Sequence, residues 1–159
     1  MVKKSIILMF LEEYTSLSQQ WRKINALWYK IFMKFLGETN LTYTEAMVLL
    51  ATLSLDIPSK SDISKYMRCE PQSITRAINS LVSKELLQRK LDINDKRVVL
   101  FDLTKTGHEF SVKTQNFINV NWQKSLGDID RESLNVFTNQ LNEMVLNLEK
   151  LVVVNDIDK

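Results

Sequence analysis

The chain has 159 residues, of which 45% are hydrophobic and 25% charged, a composition typical of a folded globular domain and unlike that of a disordered or membrane-spanning protein. Its net charge of +2 does not by itself indicate nucleic-acid binding, so any basic surface that binds nucleic acid has to be local. A single cysteine, Cys69, excludes an intramolecular disulfide, and with a single histidine, His108, a metal site is not expected. The apolar start ends at Glu12 without a cleavage site, which predicts a cytoplasmic protein with no membrane partner.

The first forty residues predict one long helix with an apolar stripe. From Ile7 to Phe35, apolar residues recur at alternating spacings of three and four, as in a heptad seam. Gly37 is expected to end the helix in the left-handed conformation. A helix of this length is not stable alone, so its stripe requires a partner.

Three shorter helices are predicted next. Thr42 or Thr44 can cap the largely apolar segment TEAMVLLATLSL, and Ser59 with Asp62 can cap SDISKYM. The apolar residues of SDISKYM are expected to face the core: Ile63, Tyr66 and Met67. After a tight turn at 68–70, the segment PQSITRAINSL (71–81) is predicted to form a helix that opens with proline. Two short helices joined by such a turn indicate a helix-turn-helix.

The helix predicted at 71–81 has one apolar and one polar face. At about 100° per residue, Ala77 and Ile78 fall on the side of Ile74, with Arg76 and Asn79 opposite. Arginine can bind guanine, and glutamine or asparagine can bind adenine, in the major groove of DNA. Any solvated helix also carries a polar face. The flanking segments therefore have to show whether this helix binds DNA.

A basic hairpin is predicted to follow. Segments 86–91 and 98–103 are rich in aliphatic residues and predict two strands, joined by the polar turn DINDKR. The hairpin would form a wing beside the helix-turn-helix. Its tip and flanks concentrate positive charge that the whole-chain balance conceals: Arg89, Lys90, Lys96 and Arg97.

Two further helices are predicted at the C-terminal end. Thr104 can cap the first, Gly127 can end it, and Asp128 or Asp130 can start the second, whose apolar residues again alternate by three and four. Matching seams at both ends of the chain favour a symmetric dimer of interlocking helices, and an intrachain bundle is the alternative. The predicted fold is mainly α with a small β-wing, in which a winged helix-turn-helix core (38–104) is flanked by dimerisation helices at 1–37 and 105–159.

The order and spacing of these residues resemble the MarR family of winged-helix transcriptional regulators over nearly the whole chain. The matching residues are Leu41 and Thr42, SITR at 73–76, Asp92, Asp95 and Arg97, and Leu103, Thr104 and Gly107. The resemblance implies a homodimer that places two recognition helices in successive major grooves of a pseudo-palindromic operator. It also implies that Arg97 enters the minor groove, held by Asp95. Such a pair can instead be a plain surface ion pair, but the four cations of the wing beside the predicted helix favour the functional role. Arg68, where glycine is common, and Glu70 depart from the family pattern.

A set of DNA-contacting residues follows from the polar face, the basic wing and the resemblance. It comprises Ser59, Lys60, Ser61, Gln72, Ser73, Thr75, Arg76, Asn79, Lys90, Asp95, Lys96 and Arg97.

The family often responds to small aromatic acids, thiol oxidation or metal. Thiol sensing is not supported, because Cys69 lies in the turn, and zinc sensing is not supported, because His108 has no histidine partner. The remaining possibilities are that the protein responds to a small organic effector or to no effector at all. No cofactor is expected. The resemblance places its pocket between the dimerisation helices and the winged domain, although aromatic residues at helical spacing are also typical of a core. The candidate lining residues are Trp21, Trp28, Tyr29 and Trp122.

These observations predict a dimeric regulator, a repressor, that binds double-stranded DNA and is released by a small organic ligand. The alternative is a dimeric winged-helix interaction module without specific DNA binding. An enzyme is not expected, because the chain has no phosphate loop, nucleophile elbow or paired histidine and carboxylate.

Overall fold

A computed structural model describes the backbone of residues 2–157 and the side chains of residues 13–152. In that range the chain forms six helices and one two-stranded antiparallel sheet, which confirms the predicted architecture. The elements are α1 (Val2–Leu36), α2 (Tyr43–Leu55), α3 (Lys60–Met67), α4 (Thr75–Ser83), β1 (Leu87–Leu91), β2 (Val99–Leu103), α5 (Lys105–Leu126) and α6 (Arg131–Ile157). The part of the predicted N-terminal seam before residue 13 lies outside the described side chains.

The chain divides into two compact units, residues 1–115 and 116–159. The first contains α1 to α4, the sheet and the first half of α5, and the second contains the end of α5 and all of α6. The functional boundaries predicted from the sequence, after residues 37 and 104, stay a prediction.

The core of the first unit lies between α2, α3, α4 and the sheet. The apolar face predicted for α4 is confirmed, since Ile74, Ile78 and Leu81 are almost completely buried. They belong to one buried cluster: Val48, Leu49, Ala51, Ile63, Ile74, Ala77, Ile78, Leu81, Leu87 and Phe101. This cluster fixes α4 against the sheet and leaves its opposite face exposed.

Two capping boxes start the helices before α4. Thr42, one of the two predicted candidates, caps α2 together with Glu45. Ser59 caps α3 together with Asp62, as the sequence predicts. Hydrogen bonds from the Ser59 side chain and backbone lower the pKa of Asp62. Each box satisfies helix amides that would otherwise lack partners, so both helices begin at defined residues.

The helix predicted from Pro71 begins at Thr75 instead, so its predicted start is wrong. Residues 71–74 form turns, in which the Ser73 hydroxyl donates to the Glu70 carbonyl at 2.7 Å and the Thr75 hydroxyl donates to the Pro71 carbonyl at 3.1 Å. Local bonds from hydroxyls to the backbone compete with the helical pattern. Gln72 and Ser73 therefore lie in the turn before α4.

Tyr66 also differs from its predicted position. Its side chain is 53% exposed, and its hydroxyl donates to the Ser54 hydroxyl at 3.2 Å instead of lying in the core. The phenol is amphipathic, so it can cover the surface of α2 and keep its polar end in water.

The helix ends are only partly as predicted. The α1 helix stops before Gly37, but Gly37 does not adopt the left-handed conformation, whereas Gly127 after α5 does, with φ of 61°. Asp130, rather than Asp128, caps α6, because its carboxylate accepts from the Ser133 amide at 2.9 Å.

Four described residues other than glycine have positive φ, and all follow helices: Asp56 and Ile57 after α2, Arg68 after α3 and Glu85 after α4. Arg68, at the position where the family commonly has glycine, has φ of 53° and ψ of 47°. Glu85, after α4, has φ of 55°. There the Leu86 amide donates to the Leu81 carbonyl at 2.9 Å and the Glu85 amide to the Val82 carbonyl at 3.1 Å, which is a Schellman motif.

The apolar stripes of the terminal helices are exposed. On α1, Tyr14 is 62% exposed and Leu17 56%, and on α6 Leu148 is 50% exposed and Leu151 58%. No helix among the described residues is long and apolar enough to cross a membrane.

Candidate nucleic-acid interface

The exposed side of α4 is one component of the candidate interface. Arg76 and Asn79 are exposed and lie three residues apart, so they share one face of the helix, and Thr75 is half-buried beside them. Gln72 and Ser73 are exposed in the preceding turn. The helix therefore presents guanidinium, amide and hydroxyl groups on the side opposite its buried residues.

A groove of about 720 Å³ lies between α3, α4 and the wing. Its lining residues are Ser59, Lys60, Ser61, Thr75, Ile78, Asn79, Arg89, Arg97, Val98, Val99 and Phe101. Six of the predicted DNA-contacting residues thus meet in one groove: Ser59, Lys60, Ser61, Thr75, Asn79 and Arg97. The other six do not line it: Gln72, Ser73, Arg76, Lys90, Asp95 and Lys96.

Backbone contacts join α3 to the wing. The Phe101 amide donates to the Pro58 carbonyl at 2.9 Å, and Ser59 forms an antiparallel bridge with Leu100. The cap of α3 is therefore attached to β2, which keeps Lys60 and Ser61 close to the wing.

The tip of the wing is organised by two aspartates. The Asp92 carboxylate accepts from the amides of Asn94 at 2.7 Å and Asp95 at 2.9 Å. Asp95 in turn accepts from Arg97, whose Nε lies 3.1 Å from Oδ1 and whose Nη2 lies 3.3 Å from Oδ2. These bonds lower the pKa of Asp95. The Arg97 side chain is 92% exposed, so this ion pair adds little stability but orients the guanidinium.

Lys90 has a partner within the wing that the sequence did not reveal. Its Nζ lies 2.6 Å from Oδ2 of Asp102, which also accepts from Gln88 at 3.1 Å. The hydrogen bond from Lys90 lowers the pKa of Asp102. Residues 88 and 90 alternate with Leu87 along β1, so Lys90 lies on the sheet face opposite the buried Leu87.

Arg89 lines the same groove but is absent from the predicted set of DNA-contacting residues. Its Nη2 donates to Oδ1 of Asn79 at 2.7 Å and ties the wing to the exposed face of α4. A signal was present in the sequence, because two-residue periodicity places Arg89 on the same face of β1 as the apolar Leu87.

The predicted effector residues are placed as follows. Trp21 is 44% exposed and Tyr29 55%, Trp28 is half-buried, and the Tyr29 ring lies 5.6 Å from that of Tyr43 between centroids. Trp122 is 43% exposed and belongs to the second unit. An effector pocket stays a prediction. The side chains described contain no group of three or more His, Cys, Asp or Glu residues arranged to hold a metal ion.

The comparisons with known proteins agree with this architecture. A sequence model of the family described as transcriptional regulator SarA/Rot matches residues 30–114, more than half of the chain. The chain belongs to the SarA/Rot family of transcriptional regulators. It is also similar to the transcriptional regulator ZitR of Lactococcus lactis, with 31% identity over 69 residues, which are 43% of this chain and 47% of ZitR. The match thus spans about half the length of that relative.

The solved structures similar to this SarA/Rot family member include MarR-family winged-helix regulators. The S. aureus MepR–DNA complex has a TM-score of 0.74 at 18% identity and covers 82% of this chain and 95% of MepR. A mutant of E. coli MarR complexed with operator DNA has a TM-score of 0.68 at 20% identity and covers 83% of this chain and 95% of MarR. At these identities the likeness shows the fold alone, and it confirms the predicted MarR-like winged helix.

Proposed function

We propose that the protein binds specific sequences of double-stranded DNA as a homodimeric repressor, acting in the cytoplasm on a pseudo-palindromic operator. One observation carries the proposal. The exposed face of α4 adjoins a groove that also contains Lys60 of α3 and Arg97 of the wing. Side chains able to bind bases and side chains able to bind phosphate therefore lie on one surface, as sequence-specific binding requires.

Each part of this surface has a distinct proposed role. Arg76 and Asn79 would contact base edges in the major groove, since their side chains have the appropriate donors and acceptors. Lys60, Ser61 and the turn residues before α4 would bind phosphates. Arg97 would enter the minor groove, where a narrow groove has enhanced negative potential.

The exposed stripes of α1 and α6 support a dimer. A monomer would leave Leu17 and Trp21 of α1 and Leu148 and Leu151 of α6 in water. A symmetric pair of chains would bury such stripes and also set the distance between two recognition helices. A small organic ligand that binds better to a dimer with the wrong spacing would release DNA, by no more than its difference in affinity between the two states.

Fluorescence anisotropy on a duplex from the upstream region of its own gene and on a scrambled duplex, across a salt series, tests the proposal. We expect tight, sequence-dependent binding with a steep salt dependence. Arg76→Ala should weaken specific binding by about 1–3 kcal/mol and relax the base preference at one position. Arg131→Ala, an exposed arginine in the first turn of α6, is the matched control for loss of one charge. Operator binding by Arg76→Ala equal to that of the wild type would contradict the role proposed for α4.

A dimeric interaction module is the second candidate, and the apolar wing tip favours it. Leu91 is 64% exposed and Ile93 is 92% exposed, although both lie beside the cations of the wing. Selection from a random duplex pool separates the two functions. An enriched motif supports DNA binding, whereas a pool that stays random supports the interaction module.

A further inference from the structure

The hydrogen bond between Arg89 and Asn79 fixes the orientation of an amide in the proposed base-contacting surface. The Nη2 atom of Arg89 lies 2.7 Å from Oδ1 of Asn79. An arginine side chain has only donors, so chemistry alone requires the amide oxygen, and not the amide nitrogen, to face it. The NH₂ group of Asn79 therefore points away from Arg89.

The fold holds both partners of this bond in place. Arg89 lies opposite the buried Phe101 in the register of the sheet, and Leu87 on the same face is buried against the core. Asn79 follows Ile78, which is 3% exposed, so the backbone that carries the amide is fixed as well. Nearby carboxylates do not compete for Arg89 in the structure, because Asp102 binds Lys90 and Asp95 binds Arg97.

This orientation changes which base Asn79 can recognise. A free asparagine binds adenine through two bonds, accepting with its oxygen and donating with its nitrogen. In this structure the oxygen already accepts a short, charge-assisted bond, which is stronger than the neutral bond that adenine would offer. The Asn79 oxygen has a second lone pair, but an adenine amino group bound there would place its donor hydrogens close to the cationic guanidinium of Arg89.

We propose that Arg89 is a specificity-positioning residue, which restricts Asn79 to donating its NH₂ group and turns its preference from adenine towards guanine and thymine. Guanine presents two acceptors in the major groove, N7 and O6, and thymine presents O4. Adenine instead pairs its acceptor N7 with a donor amino group, which an amide restricted to donating cannot satisfy. This inference rests on the proposed function, because it requires α4 to bind base edges.

Selection from a random duplex pool followed by sequencing tests the proposal with five proteins. They are the wild type, Asn79→Ala, Arg89→Ala, Arg89→Lys and the double variant with alanine at both positions. The operator position that loses its preference in Asn79→Ala is the one that Asn79 contacts. At that position we expect Arg89→Ala to raise the selection of adenine by about tenfold, the discrimination typical of a bidentate pair.

Two variants separate positioning from a structural or phosphate-binding role. Arg89→Lys keeps a donor-only cation and should keep the wild-type preference. In the double variant, loss of Arg89 should have no further effect on base preference, because it acts only through Asn79.

Three results would overturn the proposal. Arg89→Ala could weaken binding to all sequences equally and leave the preference unchanged, which would make Arg89 a phosphate contact. The wild type could already select adenine at the Asn79 position, or Asn79→Ala could change no position. In each case, sequence-specific binding by the wild type would leave the proposed function intact, whereas the absence of any enriched motif with the wild type would refute the function itself.

Discussion

The ion pair between Glu45 of α2 and Lys84 after α4 should make the stability of the first unit depend on pH. Glu45 is 3% exposed, and its Oε1 lies 2.8 Å from Nζ of Lys84. Burial alone would raise the pKa of Glu45, but hydrogen bonds from Lys84, Ser80 and Thr42 outweigh it and lower the pKa from 4.5 to about 2. A carboxylate with a lowered pKa stabilises the fold above its ordinary pKa, and this stabilisation is lost as the pH falls towards 2. At about 1.4 kcal/mol per pKa unit, the difference between the ordinary and the lowered pKa of Glu45 corresponds to roughly 3 kcal/mol of unfolding free energy.

Urea unfolding followed by circular dichroism, at fixed protein concentration and at pH values from 7 down to about 2.5, measures this contribution. Because other carboxylates titrate in the same range, the quantity of interest is the difference in unfolding free energy between wild type and Glu45→Gln. We expect the variant to be less stable at pH 7 and the difference to shrink by about 2–3 kcal/mol across the series. Glu109→Gln, an exposed residue of α5, controls for the loss of one negative charge. If the difference in unfolding free energy between wild type and Glu45→Gln stays constant with pH, Glu45 does not have the lowered pKa.

Three further changes test the packing and the charges. Gly107→Ala should lower the unfolding free energy by more than about 3 kcal/mol in thermal denaturation, because the new Cβ would lie 2.0 Å from the carbonyl oxygen of Leu86, and an unchanged melting temperature would contradict this. Glu85→Gly should raise the unfolding free energy by about 1 kcal/mol, since glycine adopts the left-handed conformation without strain; a less stable variant would refute it. Lys60→Ala should reduce the slope of log affinity against log salt concentration by about 0.9, and Lys90→Ala by less, because Lys90 is already paired across the sheet; equal slopes would contradict the comparison.

The sequence predicts those parts of the fold that depend on local periodicity. The spacing of Ile74, Ile78 and Leu81 identifies the buried face of α4, and the capping residues mark the starts of α2 and α3. The predicted start of α4 is wrong because proline at 71 is compatible with the first turn of a helix, whereas the backbone bonds from Ser73 to Glu70 and from Thr75 to Gln72 span three residues and form turns. Local competition of this kind depends on small energy differences that a residue pattern does not express.

The contacts that shape the candidate site are harder to predict, because they join residues from different elements. The bond between Arg89 and Asn79 spans ten positions of the chain, and the pair between Lys84 and Glu45 spans thirty-nine. A sequence pattern shows that each residue is polar and which face it occupies. It does not show which partner a long, flexible side chain reaches, since that depends on how the helix and the sheet pack.

Internal pairing also decides how a chain with a net charge of only +2 can present a basic surface. The ammonium of Lys90 lies 2.6 Å from Oδ2 of Asp102, whose side chain is 26% exposed, so this carboxylate offsets the positive charge that the strand presents. Arg97 is bound to Asp95 as well, but at 3.1 Å and with its side chain 92% exposed, and such surface pairs contribute little free energy. Arg97 can therefore exchange its carboxylate for a phosphate at small cost. The wing thus carries an oriented but readily released cation at its tip and a cation paired with Asp102 along its strand.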